Sequence, residues 1–264
     1  MIAVRGLHVT FNRGTPLENR ALRGVDLDIP QGQFVTVIGS NGAGKSTLLN
    51  VLAGEVLAQR GSLRIDGRDV TRLPTPRRAG LVARVFQDPL AGTCGELTIE
   101  ENLALAATRG RRRGLRQALG PARRNAFREH LARMGLGLEH RLADPVGLLS
   151  GGQRQALSLV MATLQPMQIL LLDEHTAALD PKTAAFVQDL TCAVVRDRQL
   201  TALMVTHSLR QALDVGERTL MLHHGRVIFD VAGAGRARLD VPDLLRLFQR
   251  AQGEALADDD LLLE

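Results

Sequence analysis

Gly39-Ser40-Asn41-Gly42-Ala43-Gly44-Lys45-Ser46 is the stretch on which the reading of this chain turns. It follows the apolar run Phe34-Val35-Thr36-Val37-Ile38 and precedes Leu48, Leu49, Val51 and Leu52 at helical spacing, so the local order is strand, glycine loop, helix. The eight residues fit G-x-x-x-x-G-K-[ST] in the context that gives the pattern its meaning. Glycines let the backbone curl so that successive N–H groups face phosphate oxygens, and the helix start adds its positive dipole end. Lys45 supplies a point charge for β- and γ-phosphates, and Ser46 a hydroxyl for Mg²⁺, with Thr47 closing the loop. A plain glycine turn with a solvated lysine would explain fewer of these positions.

Outward from the loop, residues 2–38 alternate apolar and polar positions through Ile2, Val4, Leu7, Val9, Phe11, Leu22, Val25, Leu27 and Ile29. They read as short antiparallel strands feeding one buried strand. Downstream, Ser62 to Ile65 and Val82 to Phe86 return to strand-like pieces. Residues 88–149 change character: Glu100 to Ala107 is helical in pattern, Arg109 to Arg133 is crowded with Arg, and Asp144-Pro145 closes the stretch. This segment reads as an inserted helical subdomain. A helix from Gly152 to Gln165, a strand from Ile169 to Leu172, a helix from Pro181 to Arg196 and a strand from Thr201 to Thr206 follow. Strands alternating with helices give an α/β fold with a mainly parallel sheet. The expected division is a nucleotide-binding core with its antiparallel β subdomain over 1–87 and 150–235, the helical insert over 88–149, and a helical tail over 236–264.

Composition narrows the partners. The chain has 264 residues, 45% hydrophobic and 23% charged, close to globular averages, so neither a disordered nor a fibrous protein is implied. No apolar run approaches the roughly 18 residues that span a bilayer, and no basic-then-apolar leader pattern opens the sequence. The net charge of +5 is carried by Arg, because Lys45 and Lys182 are the only lysines, which makes a lysine inside a glycine loop conspicuous. Trp and Tyr are absent and Phe is sparse, too little aromatic surface for a run of stacked bases, so no nucleic-acid partner is expected. Cys94 and Cys192 fit no metal-ligand spacing and read as small packing residues.

Two further motifs carry chemistry. Ile169-Leu170-Leu171-Leu172-Asp173-Glu174 is a buried strand ending in two carboxylates, which suits one acid holding Mg²⁺ (Asp173) and one orienting the attacking water as general base (Glu174). Leu149-Ser150-Gly151-Gly152-Gln153 precedes a helix and forms a second N-terminal anion site.

The phosphate loop, the Ser150 to Gln153 segment and the Asp173-Glu174 strand end, in this order, resemble the nucleotide-binding domains of ABC ATPases over nearly the whole chain. The resemblance implies a phosphate-loop NTPase core that binds ATP and Mg²⁺. It makes Gln87 the glutamine that reaches Mg²⁺ and water, Ala178-Leu179-Asp180 the segment beside the nucleotide, His207 the histidine that contacts the γ-phosphate, and Phe11 the aromatic that stacks on adenine. It also implies a head-to-tail homodimer in which each ATP lies between the Gly39 to Thr47 loop of one chain and Ser150 to Gln153 of the other. His175 stands where many members have Pro. The whole stretch Leu149 to Lys182, with Asp173 to Thr183 and together with Thr98 to Leu103, is similar to the ATPase subunits of a bacterial importer group associated with tryptophan/tyrosine transport. That likeness implies a subunit at the cytoplasmic face of the plasma membrane, docked on integral-membrane permeases and served indirectly by a substrate-binding protein, importing a small solute such as an amino acid. An exporter ATPase and a soluble ABC ATPase working on nucleic acid or ribosomes remain the alternatives.

Overall fold

The computed structural model describes residues 1–111 and 117–260; residues 112–116 of the Arg-rich stretch and residues 261–264 of the tail lie outside the described residues. In chain order the elements are β1 (Ile2–Phe11), β2 (Asn19–Ile29), β3 (Phe34–Gly39), α1 (Lys45–Ala53), β4 (Arg60–Ile65), β5 (Arg68–Asp69), α2 (Thr75–Arg78), β6 (Val82–Val85), α3 (Ile99–Ala106), α4 (Pro121–Ala132), α5 (Gly151–Thr163), β7 (Ile169–Asp173), α6 (Pro181–Asp197), β8 (Ala202–Val205), α7 (Leu209–Asp214), β9 (Arg218–His223), β10 (Arg226–Ala232), α8 (Gly233–Ala237) and α9 (Val241–Asp260). The α/β class expected from alternating strands and helices is the class observed. The elements form two compact units, one made of Met1–Leu52, Val56–Arg72 and the chain from Leu203 onward, the other of Ala53–Glu55 and Leu73–Ala202.

The first unit holds an antiparallel sheet in the order β2-β1-β4-β5 and the strand series β10-β9-β3-β8. The apolar positions of β1 change parity between Val4 and Leu7, and the pairing with β2 shifts register at that point. A bulge therefore keeps Ile2, Val4, Leu7 and Val9 all on the buried face despite the break in alternation. Strand β3 pairs in parallel with β9, from Val35 opposite Arg218 to Gly39 opposite Leu222. Its one polar side chain, Thr36, is fully buried, with its hydroxyl 3.0 Å from that of Thr219 and also donating to the Ala212 carbonyl. Burial of the strand therefore leaves no polar atom of Thr36 unsatisfied.

In the second unit β6 and β7 pair in parallel, Val82 opposite Ile169 through Val85 opposite Leu172. The four apolar residues of β7 are wholly buried, as a parallel strand covered on both faces requires. The helical region packs around Ile99, Leu103, Phe127, Leu131, Leu138 and Leu157. Helix α3 starts at a capping box in which the Thr98 hydroxyl accepts from Glu101 N–H and the Glu101 carboxylate accepts from Thr98 N–H.

In the Arg-rich stretch Arg111, Arg123, Arg128 and Arg133 face solvent, while Arg109 and Arg124 are half-buried. Arg109 donates to the carbonyls of Ala162 (2.7 Å) and Gln165 (3.2 Å), where α5 ends, and burial lowers its pKa. Arg124 grips Glu100 with two bonds of 2.7 and 2.9 Å. These guanidiniums brace helices. Cys94 is exposed, contrary to its expected packing role, because its backbone N–H is tied to Asn102 in an irregular turn at the surface.

Phe127 and Leu131 anchor α4 in the helical core. Leu131→Ala, which deletes a fully buried side chain, is expected to cost about 2–5 kcal/mol in urea unfolding, whereas Arg128→Ala on the exposed side should stay within about 0.5 kcal/mol.

Candidate functional site

The phosphate loop lies in the first unit, between the end of β3 and the start of α1. Two of its glycines are required by close approach and by φ together. A Cβ on Gly39 (φ +150°) would lie 2.2 Å from the Leu222 carbonyl oxygen, and one on Gly44 (φ +100°) 2.4 Å from that of Ala21. The curl is held by Ala43 N–H donating to Ser40 O (3.2 Å), and the first helical bond runs from Leu48 N–H to Gly44 O (2.8 Å). Lys45 is buried, not splayed into solvent, and its ammonium donates to the carbonyls of Gly39 and Ser40, each at 2.8 Å. The charge is thus folded across the loop's own carbonyls. Asn41, Gly42 and Ser46 are exposed around it.

His207 lies in the same unit, just past β8. Thr206 N–H donates to Val37 O at 3.1 Å, which sets this strand end beside β3. Ser208 caps α7 by accepting from Gln211 N–H (3.1 Å), so His207 is fixed between a strand end and a helix cap, with its side chain exposed. Phe11 ends β1 and is 37% exposed, which removes it from the core.

The second unit carries Gln87, Ser150 to Gln153, Asp173, Glu174 and Asp180. Because Val85 is opposite Leu172 in parallel strands, Gln87 and Glu174 leave neighbouring strands at the same end. Glu174 has φ +45°, an uncommon conformation for a residue with a Cβ, and its carbonyl accepts from Ala177 N–H (2.9 Å). Ser150 and Gln153 form a capping box at the start of α5, the Ser150 hydroxyl accepting from Gln153 N–H at 3.3 Å. Asp180 caps α6 by accepting from Thr183 N–H (3.1 Å), and hydrogen bonds from Thr183 hold its carboxyl below the usual carboxylate range.

Four contributors escape motif reading. Gln155 is buried and donates to the Phe86 carbonyl (3.0 Å), fixing the residue before Gln87. Thr183 lies against Gly152 so closely that a Cβ there would be 2.1 Å from its Cγ2. Arg84 bonds Asp173 directly. His175 is wholly buried, with Nε2 3.0 Å from the Thr191 hydroxyl. That hydroxyl already donates to Val187 O (2.8 Å), so Nε2 carries a proton and donates, and burial favours the neutral ring.

Within the second unit, the Asp173 carboxylate and the Gln87 amide offer hard oxygen donors of the kind Mg²⁺ takes. No group of three or more His, Cys, Asp or Glu that could hold a metal ion occurs among the described residues, so nothing here suits a softer ion better.

A family model described as ABC transporter matches residues 22–177. The chain is 43% identical to a tyrosine transport ATP-binding protein of Clostridioides difficile, over 95% of this chain and 100% of that protein. It is 38% identical to a thiamine import ATP-binding protein of a Chelativorans species, over 78% and 79% of the two chains. Among solved structures, a dimeric ATP-binding cassette in a post-hydrolysis state bound to ADP and Pi aligns with TM-score 0.75 and 30% identity, over 88% of this chain and 98% of that one.

Burial lowers the His175 pKa from 6.5 to about 4. The unfolded chain therefore binds this proton first as pH falls, and stability present above about pH 6.5 is lost on the way down to about pH 4. Replacing it by a non-titrating donor, His175→Gln, is expected to flatten the acid limb of a Tm-against-pH profile between those values, by up to about 3 kcal/mol at its lower end.

Proposed function

The chain belongs to the ABC transporter family as an ATP-binding, ATP-hydrolysing subunit, and from that premise we propose that it energises import of a small solute, an amino acid of the aromatic class, through separate permease subunits. The 43% identity to a tyrosine transport ATP-binding protein, spanning that protein's full length, carries the substrate class. No helix among the described residues is long and apolar enough to cross a membrane, which leaves the passage itself to partner chains at the cytoplasmic face of the membrane.

In this reading Lys45 exchanges the Gly39 and Ser40 carbonyls for the β- and γ-phosphate oxygens of ATP, while the loop N–H groups from Ser40 to Thr47 close around them. Phe11, exposed at the end of β1, offers its ring face to adenine. Ser46, Asp173 and Gln87 would hold Mg²⁺, which when bound neutralises phosphate charge. Glu174 accepts the proton of the attacking water, and His207 donates to the γ-phosphate.

Ser150, Gly151 and Gly152 present the N-terminus of α5, a 13-residue helix whose first N–H groups favour an anion. We assign that anion to the γ-phosphate of ATP held by a second copy, which makes the working form a head-to-tail homodimer. Asp180 lies next to this face. Delivery of solute by a binding protein completes the assembly.

Glu174→Gln should keep ATP bound and slow hydrolysis by on the order of 10²-fold or more, so that the dimer accumulates in ATP on size-exclusion chromatography. Hydrolysis within a few-fold of wild type would transfer the base role to another group. For the dimer, mixing Lys45→Ala with Ser150→Arg subunits places both defects in one composite site and leaves the other intact. ATPase activity of the mixture is expected to exceed that of either variant alone; equal activity in proven heterodimers would refute the head-to-tail arrangement.

A further inference from the structure

Strand β6, Val82-Ala83-Arg84-Val85, is apolar except for one residue, and that residue is not solvated. The Arg84 side chain is 11% exposed. Its Nη2 donates to Asp173 Oδ2 at 2.5 Å and its Nη1 to Glu55 Oε2 at 2.8 Å, while its Cζ lies 4.8 Å from the centroid of the Phe86 ring. Phe86 supports the guanidinium by a cation–π contact, and the two carboxylates fix its rotation from opposite nitrogens. Asp173 is itself 14% exposed and Glu55 38%, so the inner pair is shielded from water far more than the outer one.

The arrangement places a permanent cation on the carboxylate read above as a metal ligand. A divalent ion approaching Asp173 therefore meets like charge at close range, in a setting where screening by solvent is weak. Glu55 acts in the opposite sense, because its negative charge offsets the guanidinium and lowers the field that Arg84 projects at Asp173. The triad of Glu55, Arg84 and Asp173 has one cation for two carboxylates. Removing the guanidinium doubles its negative charge, and removing the Glu55 charge cancels it.

We propose that Arg84 is the resident counter-cation of Asp173 and, opposed by Glu55, sets the Mg²⁺ requirement of the nucleotide site. Without metal, Arg84 neutralises and holds the carboxylate through Oδ2. With metal, the ion shares Asp173 with the guanidinium and binds more weakly than an unopposed carboxylate would allow. Arg84 is thus a positioning residue that acts through Asp173. The inference rests on the reading of Asp173 as a metal ligand.

The test uses Mn²⁺ as the probe, titrated into the full-length protein with ADP and followed by loss of the free-ion EPR signal, so that no turnover is needed. Arg84→Gln, which retains a hydrogen-bond donor but no charge, is expected to tighten Mn²⁺ about three- to tenfold, and Glu55→Gln to weaken it by a similar factor. Arg84→Lys keeps the charge and should stay near wild type. The opposite signs are the signature, since a residue that only braced the strand would weaken binding when either partner was lost. Weakening or no change in Arg84→Gln overturns the proposal. If Arg84→Gln does not fold, Glu55→Gln and Arg84→Lys decide: weakening in the first and wild-type affinity in the second support it, and any other result overturns it. Asp173→Asn separates the two levels of inference. If it leaves Mn²⁺ affinity unchanged, the metal assignment itself is wrong and Arg84 falls with it; if it abolishes tight binding while the opposing signs are missing, only the role of Arg84 is wrong.

Discussion

A phosphate loop has to bring a row of N–H groups to one point, and that demands backbone where side chains would collide. In this protein the demand is met at two glycines pressed against carbonyl oxygens, Gly39 on Leu222 and Gly44 on Ala21. The contacts reach well beyond the loop. Leu222 belongs to β9, which pairs with β3, and Gly225 in the β9–β10 turn donates its N–H to Ala43 O (3.0 Å) while its carbonyl accepts from Arg23 N–H (2.9 Å). The loop is therefore clasped by a hairpin that follows it by more than half the length of the chain. Closing that loop in sequence is entropically costly, and the apolar face of β3 and β9 offsets the cost.

A second constraint is the treatment of buried charge. Each cation taken out of water is given named oxygens: Lys45 the Gly39 and Ser40 carbonyls, Arg109 the end of α5, Arg78 the Leu73 carbonyl at 2.7 Å. Burial lowers the Arg78 pKa to about 10, which still leaves it charged. His175 takes the other course and stays neutral, with its single N–H fixed by Thr191. Unpaired charge in such surroundings would cost several kcal/mol. The settings differ, because Lys45 rests on carbonyls of the glycine loop itself, whereas Arg109 joins the end of α5 and Arg78 the Leu73 carbonyl.

What could be read from the sequence was local. Strand, glycine loop and helix are adjacent in the chain, and so are β7 and its terminal acids, so residue spacing alone places them. The alternation read through β1 is interrupted between Val4 and Leu7, where the pairing with β2 shifts register. Arg84 could not be weighed in this way, since its meaning comes from β6 lying beside β7, and an Arg in a four-residue strand gives no hint of which carboxylate it meets. His175 stood out as an unusual neighbour of Glu174, but its burial depends on Thr191 in the next helix. Arg109 is a similar case: composition counts guanidiniums and says nothing of the carbonyls at the end of α5 that this one caps.

The signature segment shows why a motif glycine need not have a single cause. Ser150 and Gln153 spend their side chains on each other as a helix cap, which any helix start would accept. Gly152 is fixed by packing, because a methyl group there would drive into Thr183, whose N–H is in turn held by Asp180. Gly151 lies under the Leu179 side chain, with 3.3 Å available for a Cβ. Both glycines of the segment thus press on the stretch from Leu179 to Thr183. The N-terminus of α5 cannot shift without moving Asp180, and a change of position at one is transmitted to the other by contact. Small residues at this point couple the start of α5 to the start of α6 within one unit.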